Sequence, residues 1–216
     1  MKEVFPGVFR QGGNILTKNL AKGLKTYGKL VTIGKQEYRI WDPYHSKPAA
    51  AIMNGLQVFP IRPGIKILYL GIASGSTASF FSDIIGPDGV IYGVEISERS
   101  IRDLNPLAEK RKNIVPIIAN AREPDTYTWI EPVDIVYQDV AIDDQSEILI
   151  RNCQAFLKKD GYAMIAIKAR SIDVVKNPRE VFRQEIGKLK KHFDILDKRE
   201  LGPWEKDHIL LVMKWK

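Results

Sequence analysis

From Ile65 onward, short apolar runs alternate with stretches whose apolar positions recur every three or four residues. The runs at 66–70, 90–95, 114–118, 133–138 and 162–167 read as strands, and the stretches near 76–85, 98–112, 144–157 and 178–191 as helices. Strict alternation of this kind predicts right-handed crossovers and a parallel sheet covered on both faces, an α/β fold. Gly86-Pro-Asp-Gly89 and Lys159-Asp-Gly161 mark two returns from helix to strand. Two further strand-like runs, Phe193 to Leu201 and His208 to Trp215, follow without a helix between them, so they are expected to pair as an antiparallel hairpin.

The N-terminal portion has another texture. Short β-like pieces at Gly7 to Arg10, Ile15 to Lys18, Leu30 to Ile33 and Tyr38 to Trp41 are separated by Gly12-Gly13, Gly23, Gly28 and Gly34, which suggests hairpins. A helix is expected over Ser46 to Gly55, with Ser46 in the N-cap position and Pro48 in the first turn. The chain therefore divides into a small β-rich lobe, residues 1–55, and an α/β unit, residues 56–216.

Charge sharpens this division. Residues 1–64 hold ten Lys/Arg against three Asp/Glu, a net of +7, whereas the other 152 residues hold 23 of each sign. All the net basicity thus lies in the N-terminal portion, where phosphates of a polyanion such as RNA would be attracted; a solvated basic face is the plainer alternative. The same portion shows few clustered aromatics of the kind that stack single-stranded bases. The single Cys153 excludes an intramolecular disulfide and falls in an expected helix. No apolar run approaches the ~20 residues of a membrane span, so a soluble cytoplasmic protein is expected.

Candidate chemistry gathers at the strand ends. Lys66-Ile-Leu-Tyr-Leu-Gly-Ile-Ala-Ser-Gly-Ser-Thr77 runs from a buried-strand pattern through a turn of small residues into a helix. Gly71 and Gly75 stand four apart, and Ala73 occupies the place of a dinucleotide fingerprint's second glycine. Glu95, 24 residues after Gly71, ends the second strand, where a carboxylate can accept the hydroxyls of a ribose. Asn120-Ala121-Arg122 and Asp139-Val140-Ala141-Ile142 follow the third and fourth strands. All converge on one sheet edge and describe a nucleoside-cofactor site, open so far to a nicotinamide dehydrogenase as well as to a methyltransferase. Asp139 and Lys168 each directly follow an apolar strand, and an ion pair between them is the economical reading. The terminal hairpin and Lys168 favour a class I methyltransferase fold, a Rossmann-like parallel sheet ending in an antiparallel hairpin.

The segments Tyr38-Arg-Ile-Trp-Asp-Pro-Tyr-His-Ser-Lys-Pro-Ala-Ala-Ala-Ile-Met-Asn-Gly55, Leu70-Gly-Ile-Ala-Ser-Gly-Ser-Thr77, Val94-Glu-Ile-Ser97, Asn120-Ala-Arg122, Gln138-Asp-Val-Ala141, Ile167-Lys-Ala-Arg-Ser-Ile-Asp173 and Glu205-Lys-Asp-His-Ile-Leu210 closely resemble archaeal fibrillarin. The resemblance covers essentially the whole chain. It implies an S-adenosylmethionine-dependent ribose 2′-O-methyltransferase acting on ribosomal and transfer RNA. The implied setting is a C/D box ribonucleoprotein with a guide RNA, a Nop-domain scaffold protein and a kink-turn-binding ribosomal-type protein. Beside Gly71, Ala73 and Gly75 of the turn, the family's cofactor contacts carry over to Ser76, Thr77, Glu95, Ile96, Asn120, Ala121, Asp139, Val140, Ala141 and Ile142, and its catalytic set to Lys47, Asp139, Lys168 and His208, with no metal. Ser76, Ile96, Asn120 and Ile142 depart from the family's usual residues, and Ile142 supplies no side-chain amide. Lys168 is expected chiefly to orient the attacking 2′-oxygen and stabilise its developing charge, since an ordinary lysine, with pKa ~10.4, is protonated at neutral pH; action as a general base, with that value depressed by burial and Lys47, is the alternative. The resemblance also implies an apolar surface for the scaffold; Phe80, Phe81 and Trp129 could belong to it or to the core. A non-catalytic RNA-binding subunit is the rival from another class, and Lys47, Asp139 and Lys168 together argue against it.

Overall fold

The computed structural model describes residues 1–216 and contains two sheets. The first is antiparallel and five-stranded: β1 (Lys2–Phe5), β2 (Val8–Gln11), β3 (Asn14–Lys18), β4 (Leu30–Ile33) and β5 (Gln36–Trp41), in the order β1-β2-β3-β5-β4. Helix α1 (Lys47–Met53) follows. The second sheet takes β6 (Lys66–Leu70), β7 (Val90–Glu95), β8 (Ile114–Ile118), β9 (Val133–Gln138), β10 (Leu157–Lys168), β11 (Phe193–Glu200) and β12 (His208–Trp215), in the order β11-β12-β10-β9-β6-β7-β8. Strands β8, β7, β6, β9 and β10 run parallel, while β12 runs antiparallel to both β10 and β11. The expected hairpin is present, and its second strand is inserted between the parallel sheet and β11.

The parallel strands read as continuous apolar runs because helices cover both faces. Ile67 and Tyr69 of β6 face one core, with Phe80, Phe81 and Ile84 of α2 (Ser76–Ile85). Leu68 and Leu70 face the other, with Ile148, Leu149 and Cys153 of α4 (Gln145–Phe156). Helix α3 (Glu98–Lys110) is capped by Ser97, which accepts from the Ser100 N–H, and buries only Leu104 and Leu107. Helices α5 (Ala169–Ile172) and α6 (Pro178–Leu189) precede the hairpin, with Asn177 capping α6. Val8, Ile15 and Trp41 of the antiparallel sheet are buried in the same cluster as Phe80, Phe81 and Ile84, so the two sheets share one core through α2.

Several local expectations need correction. Strand β1 pairs with β2 ahead of the first expected strand, a half-exposed edge whose alternation is too short to read. Strand β10 begins at Leu157, and the Lys159-Asp-Gly161 turn lies inside it as an irregularity in its pairing with β9. Ser46 occupies the N-cap of α1 but caps nothing; its hydroxyl lies 3.0 Å from the Thr77 hydroxyl instead. Phe80 and Phe81 are core residues, whereas Trp129 is 61% exposed. No helix is long and apolar enough to cross a membrane.

Candidate active site

The site forms where strand order reverses around β6, at the carboxyl edge of β6, β7, β8 and β9. Backbone pairing continues past the strand ends and fixes the loops: Gly71 N–H donates to the Val94 carbonyl at 2.9 Å, Ala119 to Glu95 at 3.1 Å and Asp139 to Leu70 at 2.9 Å. A cavity of about 430 Å³ opens there, lined by Gly71, Ala73, Glu95, Ile96, Asn120, Ala121, the run Asp139 to Ile142, and Lys168.

The turn after β6 is built from left-handed backbone. Gly71 has φ 79°, and a Cβ there would meet the Asp139 carbonyl oxygen at 3.0 Å, so glycine is what lets the turn lie against Asp139. Ala73 also has positive φ, 50°, and its N–H donates to Glu95 Oε2 at 2.9 Å. Glu95 Oε1 accepts from Ser97 N–H at 3.0 Å, so backbone donors on both sides aim this carboxylate. Gly75, with φ 87°, heads α2 without any side-chain cap, which leaves first-turn N–H groups free for an anion. A Cβ on Gly75 would lie 2.6 Å from Leu104 and 2.7 Å from Leu107, so its glycine serves the packing of α3.

The reacting groups meet beside this cavity. Lys168 Nζ lies 2.9 Å from Asp139 Oδ1 and donates to the Asp139 carbonyl at 3.1 Å. Lys47 Nζ lies 3.3 Å from Asp139 Oδ2 and 3.8 Å from Glu205 Oε1. Two lysines and two carboxylates, all mostly shielded, therefore balance one another. Beneath Asp139 sit Tyr69 and Tyr137; burial first, and then the Asp139 charge, pushes both phenols well above the ordinary value of 10.0. His208 is the register partner of Lys168 across β12 and turns its Nδ1 to the Lys206 carbonyl at 2.6 Å.

Of the expected residues, Gly75, Ser76, Thr77, Lys47 and His208 stand outside the lining of the 430 Å³ cavity. Thr77 is tied to Ser46, and Ser76 lines a neighbouring cavity. Asn120 is turned to its own loop, accepting from Arg122 N–H at 3.0 Å. Three further residues, outside the expected set, support the site. Gln145 accepts from Lys168 N–H at 3.0 Å and donates to the Ile142 carbonyl at 2.7 Å, joining the two loops. Glu205 completes the charge balance, and the Tyr27 hydroxyl donates to the Ser74 carbonyl at 2.9 Å, clamping the turn from the other lobe. A Gln one turn past a strand-end loop is a usable signal for the first; the other two need tertiary proximity.

The residues present fit a nucleoside cofactor bearing a carboxylate. The cradle at Gly71 has no room for a Cβ, Glu95 is aimed by backbone donors, Ile96 is 67% exposed at the cavity, and α2 starts uncapped.

Comparison with known proteins is consistent along the whole chain. The family model for fibrillarin matches residues 1–216. A fibrillarin-like rRNA/tRNA 2′-O-methyltransferase of Pyrococcus abyssi is 50% identical over 220 residues, covering 99% of this chain and 97% of the relative. Fibrillarin of Aeropyrum pernix, solved with natively bound S-adenosylmethionine, superposes with TM-score 0.86 at 47% identity, over 93% of this chain and 88% of that one. The chain solved in a fibrillarin/Nop5p complex gives TM-score 0.92 at 38% identity, with 100% of both chains covered.

Proposed function

The chain belongs to the fibrillarin family, and we propose that it is the catalytic subunit of a C/D box ribonucleoprotein, methylating ribose 2′-oxygens of ribosomal and transfer RNA with S-adenosylmethionine. The observation that carries this reading is the meeting of Lys47, Asp139 and Lys168 at the lip of a cavity that also presents Glu95. The fibrillarin solved with S-adenosylmethionine and the one solved with Nop5p support the cofactor and a Nop-domain scaffold. Guide RNA, a kink-turn-binding protein and a cytoplasmic setting complete the proposal.

Bound S-adenosylmethionine would supply an electrophilic methyl group. Glu95 is placed to accept from the ribose hydroxyls, Ile96 and Ala121 to flank the adenine, and Val140 to Ile142 to line the methionine side. The uncapped α2 N-terminus with Ser76 and Thr77 suits its carboxylate. Lys168 orients the attacking 2′-hydroxyl and stabilises charge developing on its oxygen as the O–H proton passes to solvent water, and Asp139 positions Lys168 through contacts at 2.9 and 3.1 Å. Lys47 holds the other carboxylate oxygen, so Asp139 cannot swing from the cavity without breaking contacts on two sides. The basic lobe, residues 1–55, adds the phosphate attraction that brings RNA near.

The test is single-turnover methyl transfer in a particle reconstituted with guide RNA and archaeal partner proteins. Lys168→Met should lower the rate ~10²–10³-fold while leaving the calorimetric affinity for cofactor within a few-fold. A rate near wild type would remove Lys168 from the reaction. Site-specific methylation by the chain without guide RNA would overturn the guide-directed part.

A further inference from the structure

Lys168 is the last residue of β10, and the strand outruns its neighbour there. The ladder between β10 and β9 stops at Ile165 and Gln138, so the Lys168 backbone has no strand partner on that side. A side chain takes the role instead. Gln145, the first residue of α4, accepts from the Lys168 N–H at 3.0 Å and donates to the Lys168 carbonyl at 3.3 Å. The same Nε2 donates at 2.7 Å to the carbonyl of Ile142, which ends the Asp139 to Ile142 run along the cavity. The Gln145 carbonyl in turn accepts from Gln138 Nε2 at 2.7 Å, and Gln138 directly precedes Asp139. Both glutamines are wholly buried.

The place calls for an amide. An amide side chain brings an acceptor oxygen and two N–H donors, and Gln145 uses all of them on backbone groups. An ionised glutamate has no donor for the two carbonyls, and an apolar side chain of similar length leaves them and the Lys168 N–H buried without partners. Gln145 itself does not line the 430 Å³ cavity, so any effect it has on the reaction passes through Lys168 or the loop. The next amide along the chain is held differently: Ala169 N–H donates to the Asp207 carbonyl at 3.0 Å, on the β12 side.

We propose that Gln145 is a positioning residue that couples the cofactor loop to Lys168: once cofactor settles the Asp139 to Ile142 loop, the buried amide fixes the Lys168 backbone and with it the reach of Nζ. This rests on the methyltransferase reading above and adds to it a link between cofactor occupancy and readiness for attack. Asp139 grips the lysine at its amino end, 2.9 Å away, and Gln145 grips it at the backbone, so the side chain is held at both ends. The coupling is reciprocal, and a fixed Lys168 also favours the cofactor-binding shape of the loop. Misplacing a reacting group by about 1 Å costs ~10²-fold in rate, which bounds the effect of losing one grip.

Single-turnover methyl transfer in the reconstituted particle is compared for Gln145→Met, Lys168→Met and the double variant. Gln145→Met should lower the rate ~10–10²-fold while calorimetric affinity for S-adenosylhomocysteine stays within about threefold. In the Lys168→Met background the same substitution should cost about twofold or less, because a residue that acts through the lysine then has nothing to position. Equal fold-losses in the two backgrounds overturn the proposal, as does a single-variant rate within about twofold of wild type or an affinity that falls as far as the rate. A second measurement needs no variant. Amide hydrogen exchange of the wild-type chain, with and without S-adenosylhomocysteine, should show the Lys168 N–H slowed about tenfold on binding and the Ala169 N–H by less than about twofold. Equal slowing of the two, or none at Lys168, overturns the coupling even where Gln145→Met does not fold, and leaves the methyltransferase reading standing. Failure of the wild-type particle to methylate overturns that reading and this link with it.

Discussion

Replacing Asp83 with alanine should loosen the junction between the two lobes. Asp83, in α2, is fully shielded and carries the only negative charge between Arg39 of β5 and Arg111 after α3, at 3.3 Å and 2.6 Å. It also accepts from the Thr17 hydroxyl at 2.7 Å and the Leu20 N–H at 3.0 Å. Burial, reinforced by Arg111 and only partly offset by Asp83, already lowers Arg39 to about 10, and it remains charged at neutral pH. Alanine would strand two guanidinium groups in the interior, keeping only neutral partners such as Ser79 for Arg39 and Ser82 and Asn19 for Arg111. Removing one partner of a buried ion pair costs ~3–5 kcal/mol, and the orphaned Thr17 and Leu20 donors push toward the upper end. For a chain of this length, each kcal/mol shifts Tm by ~2–4 °C, so a fall of ~6–20 °C follows. Denaturant unfolding at pH 7 measures the free energy, and hydrogen exchange should show β3 and β5 amides losing protection before β6 and β9. A loss below ~1 kcal/mol, or uniform loss of protection, would refute the idea that this charge joins the lobes.

Gly71→Ala should both strain the turn and push on Asp139, since the new Cβ would sit 3.0 Å from the Asp139 carbonyl at φ 79°. The expected cost is ~1–2 kcal/mol of stability with a cofactor affinity lowered at least tenfold; unchanged calorimetric affinity would contradict it. Alkaline absorbance titration should show late-ionising tyrosines. Burial, with help from Glu131, raises Tyr92 to about 12, and burial raises Tyr69, Tyr127 and Tyr137 further from their ordinary 10.0. These groups keep their protons longer when folded, so stability is intact below 10.0 and falls as pH climbs above it. The opposite sign applies to Asp144, which the hydrogen bond from Arg122 holds below the ordinary 3.8. Its contribution is present above 3.8 and lost as pH falls through its lower folded value, so Asp144→Asn should flatten part of the acid-side decline in Tm.

What could be read in the sequence follows from how local each signal is. Strands β6, β7 and β9 declare themselves because both faces are covered, and the loops after them declare a site because polar residues there are expensive without a purpose. The Asp139 and Lys168 pair was legible for that reason. Asp83 was not: one acid in the otherwise uncharged Ser76–Ile85 helix resembles an exposed position, and only pairing with Arg39 and Arg111 reveals why it is buried. Ser46 looked like a helix cap because its position suits one, while its real partner, Thr77, is 31 residues away. The insertion of β12 between β10 and β11 was equally hidden, because a hairpin pattern fixes pairing between its strands and not which of them meets the parallel sheet.

These non-local contacts bear directly on the reacting groups. Lys47 opens α1, whose Ala49, Ala50, Ala51 and Ile52 are buried in the core shared by the lobes, and the Ser46 to Thr77 contact ties its start to α2. Arg39 lies eight residues earlier on β5, locked to α2 through Asp83. The lysine on one side of Asp139 is therefore carried by the lobe junction, while Lys168 on the other side is carried by β10 and held by Gln145. A loosened junction should disturb Lys47 before Lys168, so Asp83→Asn, assayed well below its Tm, should lower the methyl-transfer rate more than it lowers affinity for a cofactor held by β6 to β9. Equal losses of rate and affinity would mean that the junction supports the whole sheet edge instead of Lys47 alone.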